Sequence, residues 1–406
     1  MPGRFGMETR LARCRPAPSH CGASLTSAPP ATLSSSLTIM HALSPAPFGG
    51  LETVVSALAR AQRAAGHRVV VAARMSSPHE AGTFIATLEE AGIDIQPLLI
   101  PNRAYVREGQ LIRALCRDLG VNIVHTHGYR SDFVDGHAAR SEGVPIVTTV
   151  HGFTGGGLRN RTYETLQRLA FRRFDAVVAV SRPMAARLRA SGIAESRIHI
   201  VPNALMAYPS PLDRAAARRA LNLPADEFIA GWVGRLSPEK GLDVFLEAIA
   251  LLAPCGVRAA ILGDGPERAT QERRASERSR ASIHWCGTVP DAARYLAAFD
   301  LLVLSSRTEG LPMVLLEAMA SGLPIVTTRV GGIPDMLSDQ EAILVPPDDA
   351  RSLAAGIRAV LDDPIAAATR AESALHRQRE EFAVGPWRER YESIYRSLLR
   401  GRTSVA

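Results

Sequence analysis

Short runs of apolar, β-branched residues alternate with segments of helical period along nearly the whole chain after residue 36. Strands that are apolar throughout and are separated by helices are typical of parallel sheets buried on both faces. The alternation therefore predicts an α/β fold. In the first half of the chain the predicted strands are Leu37–Leu43, Arg68–Ala73, Ile93–Leu99, Asn122–Thr126, Pro145–Val150, Ala176–Val180 and Arg197–Val201.

The alternation stops at Met206–Pro211, where Pro209 and Pro211 flank Ser210, and then starts again. A chain of 406 residues fits two large domains best. We therefore predict two Rossmann-like, doubly wound domains that face a central cleft, over residues 37–205 and 206–384, with a helix over 385–406 that crosses back to the first domain. In the second half the predicted strands are Phe228–Val233, Arg258–Leu262, Ser282–Cys286, Asp300–Leu304, Pro324–Thr328 and Ala342–Val345.

Residues 1–36 are rich in Ser, Ala and Pro and lack the sustained apolar stretch of a secretory signal. We interpret them as a disordered or mis-annotated tail, with an organelle transit peptide as the less favoured alternative. No apolar run reaches the ~18 residues that span a bilayer, so we expect a cytoplasmic protein. The arginine-rich stretch Leu158–Phe174 could contact anionic lipid at the inner face of the cell membrane, although a solvated basic face is the favoured interpretation.

Composition excludes several classes of protein. The five cysteines are scattered and form no CxxC pair, which argues against a disulfide scaffold or a thiolate zinc site. His125 and His127 share one face of their predicted strand, but no third ligand at convincing spacing is evident, so we predict no metal site. The net charge of +7 favours anionic ligands without requiring nucleic acid, and 5% aromatic residues provide no stacking surface for single strands.

A glycine pair, Gly49-Gly50, follows the first strand and opens the first helix. Glycine there lets backbone N–H groups approach a phosphate at the positive end of the helix, although an ordinary tight turn has the same pattern. The motif is not GxGxxG, and the second strand ends Ala72-Ala73-Arg74 without the acidic residue that binds ribose. The sequence therefore argues against nicotinamide binding.

Arg235 and Lys240 follow the first strand of the second half, at the edge where open α/β sheets bind ligands. Lys240 is the only lysine in the chain; every other basic residue is arginine. Two surface cations would ordinarily be solvated. A single lysine in an arginine-biased chain indicates a position that requires an ammonium group, and the pair suits a diphosphate.

Two glutamates, Glu309 and Glu317, lie eight positions apart around Pro312, which suits the first turn of a helix through Met319. Glu317 stands in the apolar run Met313–Met319, where a carboxylate needs a hydrogen-bonding partner such as a ribose diol. The alternative is a glutamate that faces solvent. His151 ends a strand before a glycine-rich loop, which suits either a ligand contact or a simple cap.

Together these residues resemble glycosyltransferase family 4, the retaining enzymes of the GT-B fold. The resemblance runs from about Leu37 to Leu399, and the Glu309/Glu317 pair is its most specific part. The supporting motifs are Gly49-Gly50, His151 after Thr-Thr-Val, Val201-Pro202-Asn203, Gly234-Arg235…Glu239-Lys240-Gly241, Gly263-Asp264-Gly265-Pro266 and Gly331-Gly332-Ile333-Pro334-Asp335.

The resemblance implies a catalytic set of Glu309, His151, Arg235 and Lys240, in which the two cations hold the diphosphate of a nucleotide-sugar donor. It also implies that Glu317 binds the ribose and that Gly50 brings its backbone N–H to the phosphates. The base would lie near the loop Gly287-Thr288-Val289, with Gly287 and Val289 among the binding residues. The backbone donors beside the sugar would come from Leu311, Met313 and Val314, because Pro312 has no N–H.

The resemblance further implies a metal-independent transferase without a resident cofactor, which moves a hexose from a UDP-, GDP- or ADP-sugar in polysaccharide biosynthesis. The acceptor hydroxyl could belong to a glycan, a lipid-linked sugar or a small molecule, and no nucleic acid is expected as a partner. Two alternatives stay open: a nucleotide-sugar 2-epimerase on a similar scaffold, and a non-catalytic regulator that binds sugar nucleotides.

Overall fold

The computed structural model describes residues 36–46, 49–77, 82–152, 167, 169–206, 211–278 and 282–403. The N-terminal tail therefore lies outside the described residues, except for Ser36, and so does most of the arginine-rich stretch Leu158–Phe174. Among the described residues, no helix has both the length and the apolar composition needed to cross a bilayer.

The first half of the chain forms a parallel sheet of seven strands in the order β3-β2-β1-β4-β5-β6-β7. The strands are β1 (Thr38–Leu43), β2 (Arg68–Met75), β3 (Asp94–Leu99), β4 (Ile123–His127), β5 (Ile146–Val150), β6 (Ala176–Ala179) and β7 (Ile198–Ile200). Each predicted strand of this half is present, with limits within two residues of the prediction.

The second half forms a parallel sheet of six strands in the order β10-β9-β8-β11-β12-β13. The strands are β8 (Ile229–Val233), β9 (Arg258–Leu262), β10 (Ile283–Gly287), β11 (Leu301–Leu304), β12 (Ile325–Thr328) and β13 (Ile343–Val345). These two parallel sheets, covered by helices, confirm the predicted α/β class.

Helices follow most of the strands. In the first half they are α1 (Gly50–Ala64), α2 (Gly82–Glu90), α3 (Tyr105–Asp118), α4 (Tyr129–Phe133), α5 (Asp135–Ser141) and α6 (Arg182–Ala190). In the second half they are α7 (Arg214–Ala220), α8 (Leu242–Leu251), α9 (Arg268–Arg278), α10 (Met313–Ala320), α11 (Ile333–Met336), α12 (Ala350–Asp362), α13 (Pro364–Glu381) and α14 (Val384–Thr403). Short 3₁₀ turns span Glu195–Arg197, Pro238–Lys240, Ala253–Cys255 and Ala292–Ala298.

Each sheet reverses its strand order once, between β1 and β4 in the first sheet and between β8 and β11 in the second. At such a reversal the connections leave in opposite directions, which opens a crevice at the carboxyl ends of the two strands. The loop before Gly50 follows β1, the loop with Lys240 follows β8, and the loop with Glu309 follows β11. The topology therefore directs these loops to the two crevices.

The terminal helix α14 packs on the first half of the chain and contacts α1. Trp387, Tyr391 and Tyr395 are buried, and they belong to one apolar cluster that includes residues of both halves. Both tyrosine hydroxyls have partners in the first half of the chain. The Tyr391 hydroxyl lies 3.1 Å from Thr149 Oγ1, and Gln62 Nε2 donates to the Tyr395 hydroxyl over 3.3 Å.

The chain passes between the halves twice, once after β7 and once before α14. The two crossings are joined by a backbone hydrogen bond, in which the N–H of Leu205 donates to the carbonyl of Phe382 over 3.3 Å. The connections between the halves therefore lie side by side.

A left-handed glycine positions the lysine loop against β11. Gly241 has φ +62°, and a Cβ there would come 2.1 Å from the carbonyl oxygen of Ser305. The Ser305 hydroxyl in turn donates to the carbonyl of Gly241 over 2.7 Å. The glycine is required twice, by its backbone angle and by the close approach of the two loops.

We expect Gly241→Ala to lower the free energy of unfolding by roughly 1–3 kcal/mol more than Gly256→Ala does. Gly256 is the matched control, because its φ is +73° and a Cβ there would meet nothing within 4 Å. Both variants carry the cost of a left-handed alanine, so the difference isolates the clash. Urea denaturation of both variants measures it, and equal losses would contradict the account of the loop.

Candidate active site

The carboxyl ends of both sheets border one cleft of about 1950 Å³. Residues of both halves line it, and most of the predicted site residues are among them. Those in the wall are Gly50, His151, Arg235, Lys240, Val289, Glu309, Leu311, Met313, Val314 and Glu317. Gly287 does not line the cleft, although the next residue, Thr288, does. Gly287 ends β10 with φ +70°, and its carbonyl accepts a hydrogen bond from the N–H of Gly263 over 2.7 Å.

Lys240 and Glu309 are paired with each other. Lys240 Nζ lies 2.7 Å from Glu309 Oε1, and the hydroxyl of Ser306 donates to the same oxygen over 2.6 Å. The carboxylate side chain is only 7% exposed, whereas the lysine side chain is 26% exposed. The sequence analysis predicted separate roles for these residues and missed the ion pair, because the pair joins loops that follow different strands.

Arg235 lies on the same loop as Lys240 and also lines the cleft. It is exposed, and its guanidinium has no hydrogen bond or ion pair among the described residues. Together with Lys240 it provides positive charge at the carboxyl end of β8, where an anionic ligand can be held without a counter-charge already bound to the arginine.

The loop that carries Glu309 is held by backbone contacts. A Cβ on Gly310 would come 2.0 Å from the carbonyl oxygen of His151, so the two halves approach each other backbone to backbone at this point. The amide of Asn203 donates to the carbonyl of Leu311 over 3.2 Å, and the N–H of Gly332 lies 3.4 Å from the carbonyl of Glu309. These contacts fix the direction in which the carboxylate enters the cleft.

Helix α10 begins one residue later than expected. Pro312 is its N-cap, with ψ 124°, and the first helical residue is Met313. The predicted place of Pro312 inside the first turn is therefore wrong: its extended ψ makes it the boundary. A Cβ on Gly50 would lie 3.8 Å from Met313 Cγ, so the start of α1 stands close to the start of α10.

His151 faces a second histidine. Its Nε2 lies 3.3 Å from Nδ1 of His127, and its own Nδ1 is buried without a hydrogen-bond partner among the described residues. The sequence showed no evident third ligand for His125 and His127, but the structure brings a third imidazole beside them. His41 on β1 is in register with His125 on β4, and the three rings bring nitrogen atoms within 4.8 Å of one another.

The sequence analysis missed His41, because it lies far from His125 in the chain and only the pairing of β1 with β4 brings the two rings together. A histidine inside an otherwise apolar strand was the available signal. Burial lowers the pKa of His41 and of His151 from 6.5 to about 4, and it lowers the pKa of His125 and of His127 well below the usual value. These imidazoles are therefore neutral at pH 7.

The chain also matches two families of known proteins. The family described as "Glycosyltransferase Family 4" matches residues 48–205, and the family described as "Glycosyl transferases group 1" matches residues 227–363. The chain is 30% identical to the lipopolysaccharide core biosynthesis mannosyltransferase LpsB of Rhizobium meliloti over 267 residues. The aligned residues cover 61% of this chain and 72% of LpsB.

The chain belongs to glycosyltransferase family 4. A glycogen synthase of Mycobacterium tuberculosis is 29% identical to this glycosyltransferase over 395 residues, which cover 88% of the chain and 93% of the relative. The predicted family and the predicted class of enzyme are confirmed.

Solved structures show the same fold as this glycosyltransferase. HepE of Anabaena, solved in complex with UDP, has a TM-score of 0.77 and 22% identity over 89% of this chain and all of its own. Sucrose-phosphate synthase of Thermosynechococcus elongatus also has a TM-score of 0.77, at 22% identity over 90% of this chain and 100% of its own. The predicted GT-B fold is confirmed.

The buried imidazoles of this glycosyltransferase predict a pH-dependent stability. The pKa of His41 is 6.5 in the unfolded chain, and burial lowers it to about 4 in the folded chain. The contribution of the neutral imidazole to the free energy of unfolding is therefore lost as the pH falls from 6.5 toward 4. We expect the gap in unfolding free energy between the wild type and His41→Phe to shrink by about 2 kcal/mol between pH 7.5 and pH 5. Buried Asp132 and Asp135, whose pKa values are raised by burial, oppose this trend but are present in both proteins.

Urea denaturation at the two pH values measures the gap. Met40, buried on the same strand, provides the control, because neither methionine nor leucine ionises and the gap for Met40→Leu should not change with pH. A pH-independent gap for His41→Phe would contradict the assignment of a neutral, buried imidazole.

Proposed function

We propose that this glycosyltransferase transfers a sugar from a nucleoside-diphosphate sugar to a hydroxyl group with retention of the anomeric configuration and without a metal ion. The observation that carries the proposal is the Lys240–Glu309 ion pair, 2.7 Å long, beside the exposed Arg235 in the wall of the cleft. This part of the cleft places two cations beside a nearly buried carboxylate, with the neutral His151 in the same wall, and it suits a ligand that has an anionic end and a polyhydroxylated end.

Lys240 and Arg235 would bind the diphosphate of the donor. Lys240 reaches the cleft from the loop after β8, and Arg235 lies on the same loop. As the bond between the anomeric carbon and the phosphate oxygen breaks, negative charge grows on that oxygen, and fixed positive groups stabilise it most at that stage. The ion pair holds the ammonium in place before the donor arrives, so little reorganisation is needed.

The acceptor hydroxyl would attack the anomeric carbon from the face that the diphosphate leaves. The new carbon–oxygen bond forms as the old one breaks, and the proton of the acceptor passes to an oxygen of the departing phosphate. Glu309 would face the sugar and stabilise the positive charge that develops on its ring. His151 would contact the sugar from the first half of the chain.

The acceptor is proposed to be a carbohydrate or polyol hydroxyl on a glycan, a lipid-linked sugar or a small molecule. The relatives support this class, since they include a lipopolysaccharide core mannosyltransferase, a glycogen synthase and a 2-deoxystreptamine glucosyltransferase of Streptomyces kanamyceticus. The last of these is 28% identical to this chain over 267 residues. A nucleotide-sugar 2-epimerase would instead convert the donor with no acceptor present, and product analysis separates the two reactions.

Replacement of Lys240 by Ala should lower kcat/KM by about 100-fold or more, because it removes a charge that stabilises the leaving group and leaves Glu309 without its partner. The assay is release of nucleoside diphosphate from UDP-glucose, GDP-mannose or ADP-glucose, with a panel of mono- and disaccharides as acceptors.

Arg258→Ala is the matched control for Lys240→Ala. Arg258 also pairs with a glutamate, Glu227, but it begins β9 and therefore lies at the opposite end of the sheet from the cleft. This variant should keep wild-type turnover. Wild-type kcat/KM in Lys240→Ala would rule out the role assigned to the lysine.

Glu317→Ala should weaken the binding of nucleoside diphosphates by about tenfold while leaving the binding of inorganic pyrophosphate unchanged, because Glu317 is proposed to accept hydrogen bonds from the ribose. Calorimetric titration with UDP, GDP and ADP identifies the base and measures the loss. Equal losses for nucleotide and pyrophosphate would show that the variant disturbs the cleft as a whole.

A further inference from the structure

A row of hydrogen-bonded imidazoles leads from the interior of the first sheet to the wall of the cleft. Nδ1 of His41 lies 3.0 Å from Nε2 of His127, and Nδ1 of His127 lies 3.3 Å from Nε2 of His151. The three rings come from β1, from β4 and from the residue after β5. His41 and His127 are buried, and the mechanism proposed above uses neither of them.

The direction of each hydrogen bond follows from the residue at the inner end. Gln62 Oε1 is an acceptor that lies 2.8 Å from Nε2 of His41, so His41 carries its proton on Nε2 and accepts at Nδ1. His127 therefore donates from Nε2 and accepts at Nδ1. His151 then donates from Nε2, and its Nδ1 is left with a lone pair.

The terminal helix fixes the amide of Gln62. Gln62 Nε2 donates to the hydroxyl of Tyr395 over 3.3 Å, which sets the amide oxygen toward His41. The Tyr395 hydroxyl lies 2.7 Å from Nδ1 of His125, and Nε2 of His125 lies 2.8 Å from Thr149 Oγ1. A second branch through His125 thus shares its anchor with the row that ends at His151.

We propose that His41 and His127 are positioning residues that hold His151 in its Nε2-protonated tautomer, so that Nδ1 accepts a hydrogen bond from a hydroxyl of the donor sugar. The inference rests on the proposed function for the presence of a sugar in the cleft. Nδ1 of His151 is buried without a partner among the described residues, and the residue lines the cleft. A neutral lone pair accepts from a hydroxyl and repels a carboxylate, so the row favours neutral hexoses over uronic acids.

The same imidazoles could be imagined around a metal ion, because His41, His125 and His127 bring nitrogen atoms within 4.8 Å of one another. Both ring nitrogens of each of these residues, however, already have a hydrogen-bond partner at 2.7 to 3.3 Å. Among the residues that the structure describes, the hydrogen-bond partners of these rings are neutral, and none is a carboxylate that could offset a buried divalent charge. Hydrogen bonding accounts for every nitrogen atom in the row except Nδ1 of His151.

The first test is the tautomer itself. The full-length protein, with ¹⁵N-labelled histidine, is examined at pH 7.5 by long-range ¹H–¹⁵N correlation, which separates protonated from unprotonated ring nitrogens. The signals of His151 are assigned by their absence from His151→Gln. We expect a proton on Nε2 and none on Nδ1. A proton on Nδ1, a charged imidazole, or a stoichiometric metal ion found by elemental analysis would overturn the proposal.

The second test breaks the row at a residue that does not line the cleft. His41→Phe keeps an aromatic ring in the stack with His127, whose ring centre is 5.2 Å away, but removes both ring nitrogens. Thr149→Val is the matched control: it also removes a buried hydrogen bond to a histidine, but on the branch that runs through His125. We expect mixed tautomers of His151 in His41→Phe and an unchanged single tautomer in Thr149→Val.

Binding completes the test. For whichever of UDP-glucose, GDP-mannose and ADP-glucose binds best, His41→Phe should weaken binding about fivefold and leave the affinity for the corresponding nucleoside diphosphate unchanged. Thr149→Val should change neither affinity. Equal affinities for the sugar nucleotide in both variants would overturn the link to the sugar. If no sugar nucleotide binds to the wild type, the proposed function fails, whereas the spectra still decide whether the row sets the tautomer.

Discussion

Much of this site depends on one contact between backbones: Gly310 lies so close to the carbonyl oxygen of His151 that a Cβ would stand 2.0 Å from it. The contact joins the end of a strand in the first sheet to the loop after β11 in the second. Because no side chain separates the two backbones, the histidine and the neighbouring Glu309 line the same cleft. A larger residue at position 310 would move the loop, and the carboxylate with it.

The charges of the cleft are arranged before any ligand is present. Lys240 and Glu309 neutralise each other, and Ser306 adds a hydrogen bond to the shared carboxylate oxygen. This arrangement allows a nearly buried carboxylate to remain in the wall at moderate cost, since its charge is paired and hydrogen-bonded. The ion pair determines where charge lies in the cleft before a ligand binds. The row through His127 and His41 determines which nitrogen atom of His151 can accept a hydrogen bond from a ligand.

The sequence predicted every strand of both sheets, because continuous apolar runs between helices leave few other folds. It also predicted that Arg235 and Lys240 would stand at the ligand-binding edge of the second sheet, because they follow its first strand. The ion pair between Lys240 and Glu309 could not be predicted, since it depends on how two loops approach in space. His41 was missed for the same reason, because the register of β1 with β4 is invisible in a single strand.

The paired crossings of the chain have a mechanical meaning. Leu205 and Phe382 are hydrogen-bonded where the chain leaves one half and returns to it, so both covalent links run through the same small region. A rotation that widened the cleft would leave that region nearly still and would displace the far rim most. The hydroxyls of Tyr391 and Tyr395 travel with the first sheet, because they are bonded to its histidine and threonine side chains. The last helix therefore moves with the first half of the chain. A short connection beside the axis of rotation joins it to the second half.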